Sequence, residues 1–272
     1  MNTETAFDRF IHEKAASGKH RIGIGIINPD EAILNSLCRA QEFCEVIAFG
    51  QEVNPIKSIP TETPEESMVA ALKSGDIDAI VRGQASATAL RTMIVDHFHY
   101  RPEEIKDLAL VKDNLGRIFI PCAISNAQGW TIDQKIELIR EAIELLRLLN
   151  LPLKVGVTSG ARPEAMGKNQ QIDQTHMDAE TIVSMLRKDF PIKHYYVEIE
   201  KAIADQCTIL VFANGMVGNH VLRSLVFLGQ VKIYGGIISG IDQLVIESFR
   251  NASGFYDYLE FANALANLKK VS

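Results

Sequence analysis

The sequence has no excess of positive charge. Lysine and arginine together number 28 against 34 aspartates and glutamates, so the 272-residue chain carries a formal net charge of −6. A nucleic acid or an acidic membrane is bound through a concentrated basic face that neutralises phosphates, so the composition argues against both partners. We expect a small-molecule ligand. If that ligand is anionic, local arginines and backbone N–H groups must hold it, because the overall field repels it.

Cysteines are few and long apolar runs are absent. The four cysteines form no C-x-x-C pair and have no histidine at metal-ligand spacing, so we expect buried free thiols and no metal. They are Cys38, Cys44, Cys122 and Cys207. The N-terminal residues lack the apolar core of a signal peptide, and no run of about twenty apolar residues could span a membrane. We therefore expect a cytoplasmic protein without a membrane partner.

The common nucleotide-binding motifs are also missing. Gly23 and Gly25 lie inside an apolar run rather than in a G-x-G-x-x-G turn, and no Walker A lysine is present. Nicotinamide and ATP chemistry therefore lack their usual signals. The 7 histidines form no spacing typical of a metal site or a catalytic triad, so surface or hydrogen-bonding roles are expected for them.

What the sequence does contain is a regular alternation of apolar strands and amphipathic helices. Parallel strands need crossover connections, so this alternation predicts an α/β fold with a mostly parallel sheet covered by helices on both faces. The stretch 161–175 is rich in polar residues and is predicted to be mobile. Strands are predicted at 21–27, 45–49, 77–81, 117–123, 153–158, 194–197, 208–212 and 232–238. Helices are predicted at 5–17, 31–42, 65–74, 87–98, 131–149, 178–188, 219–228 and 256–269.

Four turns that follow strands are candidate binding elements, because open α/β sheets bind ligands at the carboxyl ends of their strands. In the first, a buried strand runs into Arg82 and Gly83, followed by Ser86 and Thr88 at a helix start. Such a turn directs N–H groups and a guanidinium at an anion. Gly83 could instead only relieve strain while Ser86 caps the helix. We favour binding, because an arginine directly after a buried strand is costly without a partner.

The second turn has Ser159, Gly160 and Arg162 after the strand at 153–158. It repeats the sequence of strand, small residues and cation. Anion binding and a flexible surface loop both explain it.

The third and fourth turns are rich in glycine. Asn214, Gly218 and Asn219 follow the strand at 208–212, and Asn219 alone could be explained as a helix cap. Gly240 ends the glycine-rich strand near 232–238. Glycine there allows either close approach of a ligand or a bend in the strand.

The order of these turns resembles that of the phosphate acetyl- and butyryltransferases and the related acyl-phosphate-forming, PlsX-like enzymes of lipid synthesis. The similar stretches are 76–83, 123–149 with 152–159, 209–219, 234–240 and Arg250. The resemblance implies a two-lobed, isocitrate/isopropylmalate dehydrogenase-like architecture whose cleft holds an acyl phosphate and coenzyme A, in a homodimer. We expect residues 1–125 with 246–272 in the first lobe and 126–245 in the second.

The same resemblance suggests site residues. Arg250 matches the arginine that binds phosphate and the transition state, which suits a bidentate guanidinium. The serine and the aspartate base expected near it are replaced by Phe249 and Tyr256, which leaves Asp257 as the candidate base. In this interpretation Arg82 and Arg162 also bind phosphates. The resemblance therefore implies acyl transfer between coenzyme A and phosphate.

A shorter branch of the same superfamily, the MtxX-type methyltransferase-related proteins of methanogens, is similar in length and has a comparable Ser-Gly-x-Arg turn. Ser159, Gly160 and Arg162 fit that turn. This resemblance implies methyl transfer as the alternative. A third possibility is a noncatalytic small-molecule-binding relative, which Phe249 and Tyr256 favour.

Overall fold

Buried strands and capped helices alternate along residues 4–269, the part of the chain that the computed structural model describes. The strands are β1 (Arg21–Ile26), β2 (Glu45–Gly50), β3 (Lys57–Pro60), β4 (Ala79–Val81), β5 (Lys106–Lys112), β6 (Ile118–Cys122), β7 (Val155–Thr158), β8 (Ile192–Tyr196), β9 (Ile209–Val211), β10 (Lys232–Ser239) and β11 (Val245–Glu247). The helices are α1 (Ala6–Ala16), α2 (Glu31–Ala40), α3 (Pro64–Ser74), α4 (Ala87–Phe98), α5 (Ile132–Leu148), α6 (Gln170–Leu186), α7 (Ile199–Ala204), α8 (Gly215–Phe227) and α9 (Tyr256–Lys269). A short 3-10 turn covers Pro163–Ala165.

The chain forms two units. The first unit joins both ends of the chain, Met1–Ile105 with Tyr234–Ser272, and the second is the continuous segment Lys106–Ile233. The boundaries predicted from the sequence are 125 and 245. β6 lies in the second unit because it pairs with β9, and β10 runs into the first because it pairs with β11.

The first unit is built on strands in the order β3-β2-β1-β4-β11-β10. The pairs from β3 to β11 are parallel, and β10 runs antiparallel to β11. Its core packs apolar side chains of the strands against α3 and α4, with Phe49, Met68 and Leu90 fully buried. Local signals set the helix starts: Asp30 accepts a hydrogen bond from the Ile33 N–H at 2.8 Å, which caps α2.

The second unit has the strand order β5-β6-β9-β7-β8. β5 and β6 are antiparallel neighbours, whereas β6, β9, β7 and β8 pair in parallel. Its core includes Val111, Leu210 and Phe212. The carboxyl ends of β7, β8 and β9 consequently meet at one edge, and the Thr158 hydroxyl donates to the Val211 carbonyl at 3.0 Å.

The predicted fold class is confirmed: each unit is a mostly parallel sheet with helices packed against it. Of the four predicted free thiols, Cys44, Cys122 and Cys207 are buried and Cys38 is half-buried. Among the described residues, no helix is both long and apolar enough to cross a membrane.

Some elements differ from the sequence prediction. The segment predicted to be mobile, 161–175, contains the 3-10 turn and the first turns of α6, which begins at Gln170 rather than at 178. Asn169 caps that helix through its side chain, which accepts from the Gln171 N–H at 2.9 Å. Four short or edge elements, β3, β5, α7 and β11, were not predicted.

Candidate functional site

Arg82 lies at the carboxyl end of β4 and is buried, 7% exposed. Its guanidinium donates to the Glu247 carboxylate, to the Ser248 carbonyl and, at 2.8 Å, to the Ala85 carbonyl. The partner that a buried arginine requires is therefore supplied by the protein itself, at the end of the neighbouring strand β11. Phosphate binding by Arg82 remains a prediction.

Gly83 makes the sharp turn that follows. Its φ is +62°, and a Cβ there would lie 2.3 Å from the Gly25 carbonyl oxygen, so only glycine fits. The Ser248 hydroxyl donates to the Gly83 carbonyl at 3.0 Å. The turn is thus fixed by contacts with β1 and with the end of β11.

Ser86 begins α4. Its hydroxyl oxygen accepts from the Ala89 N–H at 3.3 Å, so the capping role considered from the sequence is present. Its own N–H donates to the Glu65 carboxylate from α3. Thr88 is exposed in the first turn of the same helix. The Glu65 carboxylate therefore occupies the position at the N-terminus of α4 where the helix dipole attracts an anion.

Arg250 follows β11 and is exposed. One of its terminal nitrogens lies 3.5 Å from the Ala85 carbonyl oxygen, which also accepts from Arg82. The structure therefore brings Arg82, Gly83, Ser86 and Arg250 together at the carboxyl edge of β4 and β11. The Arg82 guanidinium is buried and hydrogen-bonded to the protein, whereas that of Arg250 is exposed at this edge.

A cavity of about 370 Å³ opens at the carboxyl ends of β1 and β2, in the same unit. It is lined by apolar Ile26 and Ile27 and by polar Gln51, Thr61 and Glu65, among others. Glu65 therefore contacts both the cavity and the first N–H of the α4 turn. Pockets with an apolar wall and a few polar groups suit small organic ligands.

The residues beside Arg250 have distinct surroundings. The Tyr256 hydroxyl donates to the Glu42 carboxylate at 2.6 Å, and the Tyr256 ring packs on the Arg39 guanidinium. Burial and the hydrogen bond to Glu42 raise the pKa of Tyr256. Asp257 is exposed in the first turn of α9. Its role as a base remains a prediction.

In the second unit, Ser159 follows β7 and is 4% exposed, whereas Gly160 and Arg162 are exposed. The Gly160 N–H donates to the Thr175 hydroxyl oxygen at 2.9 Å. Arg162 Nε lies 3.5 Å from a Glu198 carboxylate oxygen. Of these three residues, Ser159 alone is buried.

Ser159 belongs to a chain of hydrogen bonds that the sequence did not reveal. Its Oγ lies 2.8 Å from His194 Nε2, and His194 Nδ1 lies 2.6 Å from a Glu180 carboxylate oxygen. No sequence spacing indicates this, because the three residues come from the turn after β7, from β8 and from α6. The one available signal was the placement of Ser159 and His194 at two predicted strands of a parallel sheet.

Asn214, Gly218 and Asn219 lie on or beside α8. The helix begins earlier than predicted: Asn214 is its cap, accepting from the Val217 N–H at 3.0 Å, and Asn219 lies inside the helix. The interpretation of Asn219 as a cap is therefore wrong. A Cβ at Gly218 would lie 2.0 Å from the Ala123 carbonyl oxygen, and the Asn219 amide donates to the Ile124 carbonyl at 3.0 Å. Close packing on the segment after β6 accounts for Gly218 and Asn219.

Gly240 ends β10, which runs antiparallel to β11. Gly240 therefore lies near the amino ends of β4 and β11, whereas Arg82 and Arg250 follow their carboxyl ends. Its φ is +76°, and a Cβ would lie 2.0 Å from the Glu104 carbonyl oxygen. A tight turn against Glu104 explains this glycine. In the described part of the chain, no cluster of three or more His, Cys, Asp or Glu residues could hold a metal.

Comparison with known proteins gives two kinds of similarity. No family model matches the chain. Its sequence is 29% identical over 269 residues to "Putative methyltransferase mtx subunit X" of Methanosarcina mazei, covering 96% of this chain and 95% of that protein. A branched-chain phosphotransacylase from Enterococcus faecalis has the same fold, with a TM-score of 0.70, 18% identity, and coverage of 90% of this chain and 99% of that one. Both resemblances are confirmed.

Two further structures extend the comparison. A phosphotransacetylase from Streptococcus pyogenes aligns with a TM-score of 0.68 and 16% identity over 98% of this chain and 99% of that one. A 4-hydroxythreonine-4-phosphate dehydrogenase from Klebsiella pneumoniae aligns with a TM-score of 0.55 and 12% identity over 91% and 98% of the two chains. At these identities the likeness is one of fold.

Proposed function

We propose that the protein transfers an acyl group between coenzyme A and phosphate. The observation that carries the proposal is the exposed Arg250 guanidinium at the carboxyl edge of β4 and β11, beside the start of α4. The similarity in fold to two phosphotransacylating enzymes supports it.

In this proposal Arg250 holds the phosphate, because a guanidinium can donate two parallel hydrogen bonds to phosphate oxygens and stabilise charge that develops during transfer. The Ser86 hydroxyl and Thr88 add donors at the positive end of α4. A phosphate bound there displaces the Glu65 carboxylate from the Ser86 N–H. Asp257 is our candidate for the base that takes the thiol proton. Coenzyme A as substrate and the homodimer are parts of this proposal.

The test is a thiol-release assay with acetyl-CoA and inorganic phosphate. We expect phosphate-dependent release of coenzyme A, and a drop of about 100-fold in kcat/KM for Arg250→Ala, as for loss of one charge-stabilising donor. Arg101→Ala is the matched control, because Arg101 is an exposed arginine that follows the opposite end of α4. Equal activity of Arg250→Ala and Arg101→Ala would refute the assignment.

Methyl transfer is the second candidate, supported by the name of the sequence relative from Methanosarcina mazei. A methyl-transfer protein should bind a methylated corrinoid or S-adenosylmethionine, and binding to the native state raises Tm. We expect coenzyme A to raise Tm and the methyl donors to leave it unchanged. The opposite pattern would favour methyl transfer. A rise with coenzyme A but no release of thiol would indicate a noncatalytic binding protein.

A further inference from the structure

The hydrogen-bond chain from Ser159 through His194 to Glu180 has the polarity of an activated nucleophile. The Glu180 carboxylate can only accept, so His194 Nδ1 carries the hydrogen of the 2.6 Å bond. His194 Nε2 then has a free lone pair and accepts from the Ser159 hydroxyl at 2.8 Å. The imidazole is held in the tautomer that can remove the serine proton.

The charge state of His194 agrees with that role. The residue is 7% exposed, and burial lowers its pKa, with the neighbouring His176 acting in the same direction and the Glu180 hydrogen bond opposing them. Burial therefore favours the neutral imidazole. A neutral imidazole beside a serine hydroxyl is a base, whereas an imidazolium could only donate to it.

The strand that carries His194 is locally irregular. Val157 pairs with His194 but Thr158 pairs with Tyr196, so β8 has one extra residue at this point. Tyr196 has a φ of 56°, which is unusual for a residue other than glycine, and its ring centre lies 4.0 Å from that of His194. Bulges and left-handed residues recur at active sites, where they redirect side chains.

His176 supplies an independent sign of a ligand. Its Nδ1 donates to the Ile172 carbonyl oxygen at 3.1 Å, which leaves Nε2 as the second ring nitrogen. That Nε2 is buried without a hydrogen-bond partner, and the residue is 4% exposed. The ring lies edge-on to His194, with 5.7 Å between centres. An unpaired buried ring nitrogen next to His194 is a place for a polar group of a ligand.

We propose that Ser159, His194 and Glu180 form a nucleophilic site in the second unit that accepts a small acyl group from an activated ester or thioester. Ser159 Oγ attacks the carbonyl carbon while its proton passes to His194 Nε2. The bond to the leaving oxygen or sulfur then breaks, and His194 returns the proton to that atom. Water attacks the serine ester next, with His194 taking its proton and giving it back to Ser159 Oγ. The products are the carboxylic acid and the free serine.

The surroundings predict a slow reaction that is limited to small groups. Ser159 is buried, whereas every residue from 160 to 170 is half-buried or exposed. The Ser159 and Gly160 N–H groups donate to the Tyr196 carbonyl at 2.8 Å and to Thr175 at 2.9 Å. These two N–H groups therefore do not serve as oxyanion donors, which typically contribute about 10²–10³ in rate.

The experiment is acetylation of the full chain by p-nitrophenyl acetate without coenzyme A or phosphate. In samples quenched with acid during the reaction, before the serine ester hydrolyses, we expect one acetyl group per chain by intact mass, mapped to Ser159 by peptide analysis and absent in Ser159→Ala. Ser184→Ala is the matched control, because Ser184 is an exposed serine on α6. Ser159→Cys should retain acylation through its thiol. An acetyl group on other residues only, or equal labelling of Ser159→Ala, would overturn the proposal.

Glu180 acts as a positioning residue, and its side chain is 62% exposed, so Glu180→Gln should fold normally. We expect acetylation about 100-fold slower, because the fixed tautomer is lost. The pH at half-maximal rate should also be lower in Glu180→Gln, because Glu180 raises the pKa of His194. The other neighbours of His194, which are Ser159, His176 and Tyr196, are unchanged in this variant. An unaltered rate and pH profile would exclude the relay. This proposal does not rest on acyl transfer to phosphate, which is measured separately by coenzyme A release and by Arg250→Ala.

Discussion

At the scale of single residues, the ion pair between Arg82 and Glu247 is a largely buried contact of the first unit. The Arg82 side chain is 8% exposed and that of Glu247 is 21% exposed. Removing one member of a buried ion pair leaves the other charge desolvated and uncompensated, which costs more than the pair contributes. Such a pair therefore fixes the ends of β4 and β11 beside Arg250.

We expect Glu247→Gln to lower the free energy of unfolding by about 3 kcal/mol, because Arg82 keeps its charge and loses its counter-charge. Urea denaturation measures this value. Glu45→Gln is the matched control: Glu45 is 47% exposed in its pair with Lys57, and its loss should cost about 0.5 kcal/mol or less. Equal effects of the two substitutions would contradict the structural role of the buried pair.

His194 makes a separate prediction about stability and pH. Burial holds its pKa below the ordinary value, so the unfolded chain binds the proton more readily than the native chain. The native state should lose stability as pH falls below about 6.5, the pKa of an unperturbed histidine. We expect the decline to be shallower in His194→Gln, with Glu180 and His176 present in both proteins. Urea midpoints between pH 7.5 and 5.5 measure it, and parallel curves would disprove it.

The sequence was informative about Arg82 only in part. An arginine after a buried strand predicts a partner, and the partner exists. Its identity could not be predicted, because Glu247 ends the short strand β11, whose pairing with β4 depends on the fold of the whole unit. His194 is similar: its neighbours Ser159 and Glu180 are distant in sequence, so only the packing of α6 on β8 brings them together.

At the scale of elements, α8 begins at Gly215, whereas the sequence predicts a start at residue 219. Gly218 suggested a loop that binds ligand, yet it lies in a helix whose backbone approaches Ala123. Periodicity and capping located the long helices well, since α4 and α9 match their predicted ranges. The short strands β3 and β11 carry too few residues for a pattern to stand out.

We expect Gly218→Ala to destabilise the protein by about 2 kcal/mol or more, although alanine is normally better than glycine within a helix by up to about 1 kcal/mol. The added Cβ would lie 2.0 Å from the Ala123 carbonyl oxygen, which is backbone and cannot rotate away. Thermal unfolding monitored by circular dichroism measures the effect.

Gly75→Ala is the comparison for that experiment. Gly75 ends α3 with a φ of +79°, and nothing lies within 4 Å of its added Cβ. Its cost is conformational only, about 1–2 kcal/mol. If Gly218→Ala stabilised the protein, the close approach of α8 to the segment after β6 would be incorrect.

At the scale of the whole molecule, the second unit is a continuous segment with its own core, which includes Val111, Leu210 and Phe212. We predict that residues 106–233 fold when expressed alone, because the strands β5 to β9 and their helices all lie within that range. Cooperative thermal unfolding, followed by near-ultraviolet circular dichroism, is the expected behaviour.

The matched control is the fragment 126–245, which follows the boundaries predicted from the sequence. That fragment lacks both β5 and β6, so β9 loses its partner β6, and the apolar side chains of Phe119 and Ile120 leave the unit. We expect it to give a far-ultraviolet signal without a cooperative transition. Cooperative unfolding of the fragment 126–245, but not of the fragment 106–233, would contradict the boundary after Ile105. It would support the boundaries predicted from the sequence.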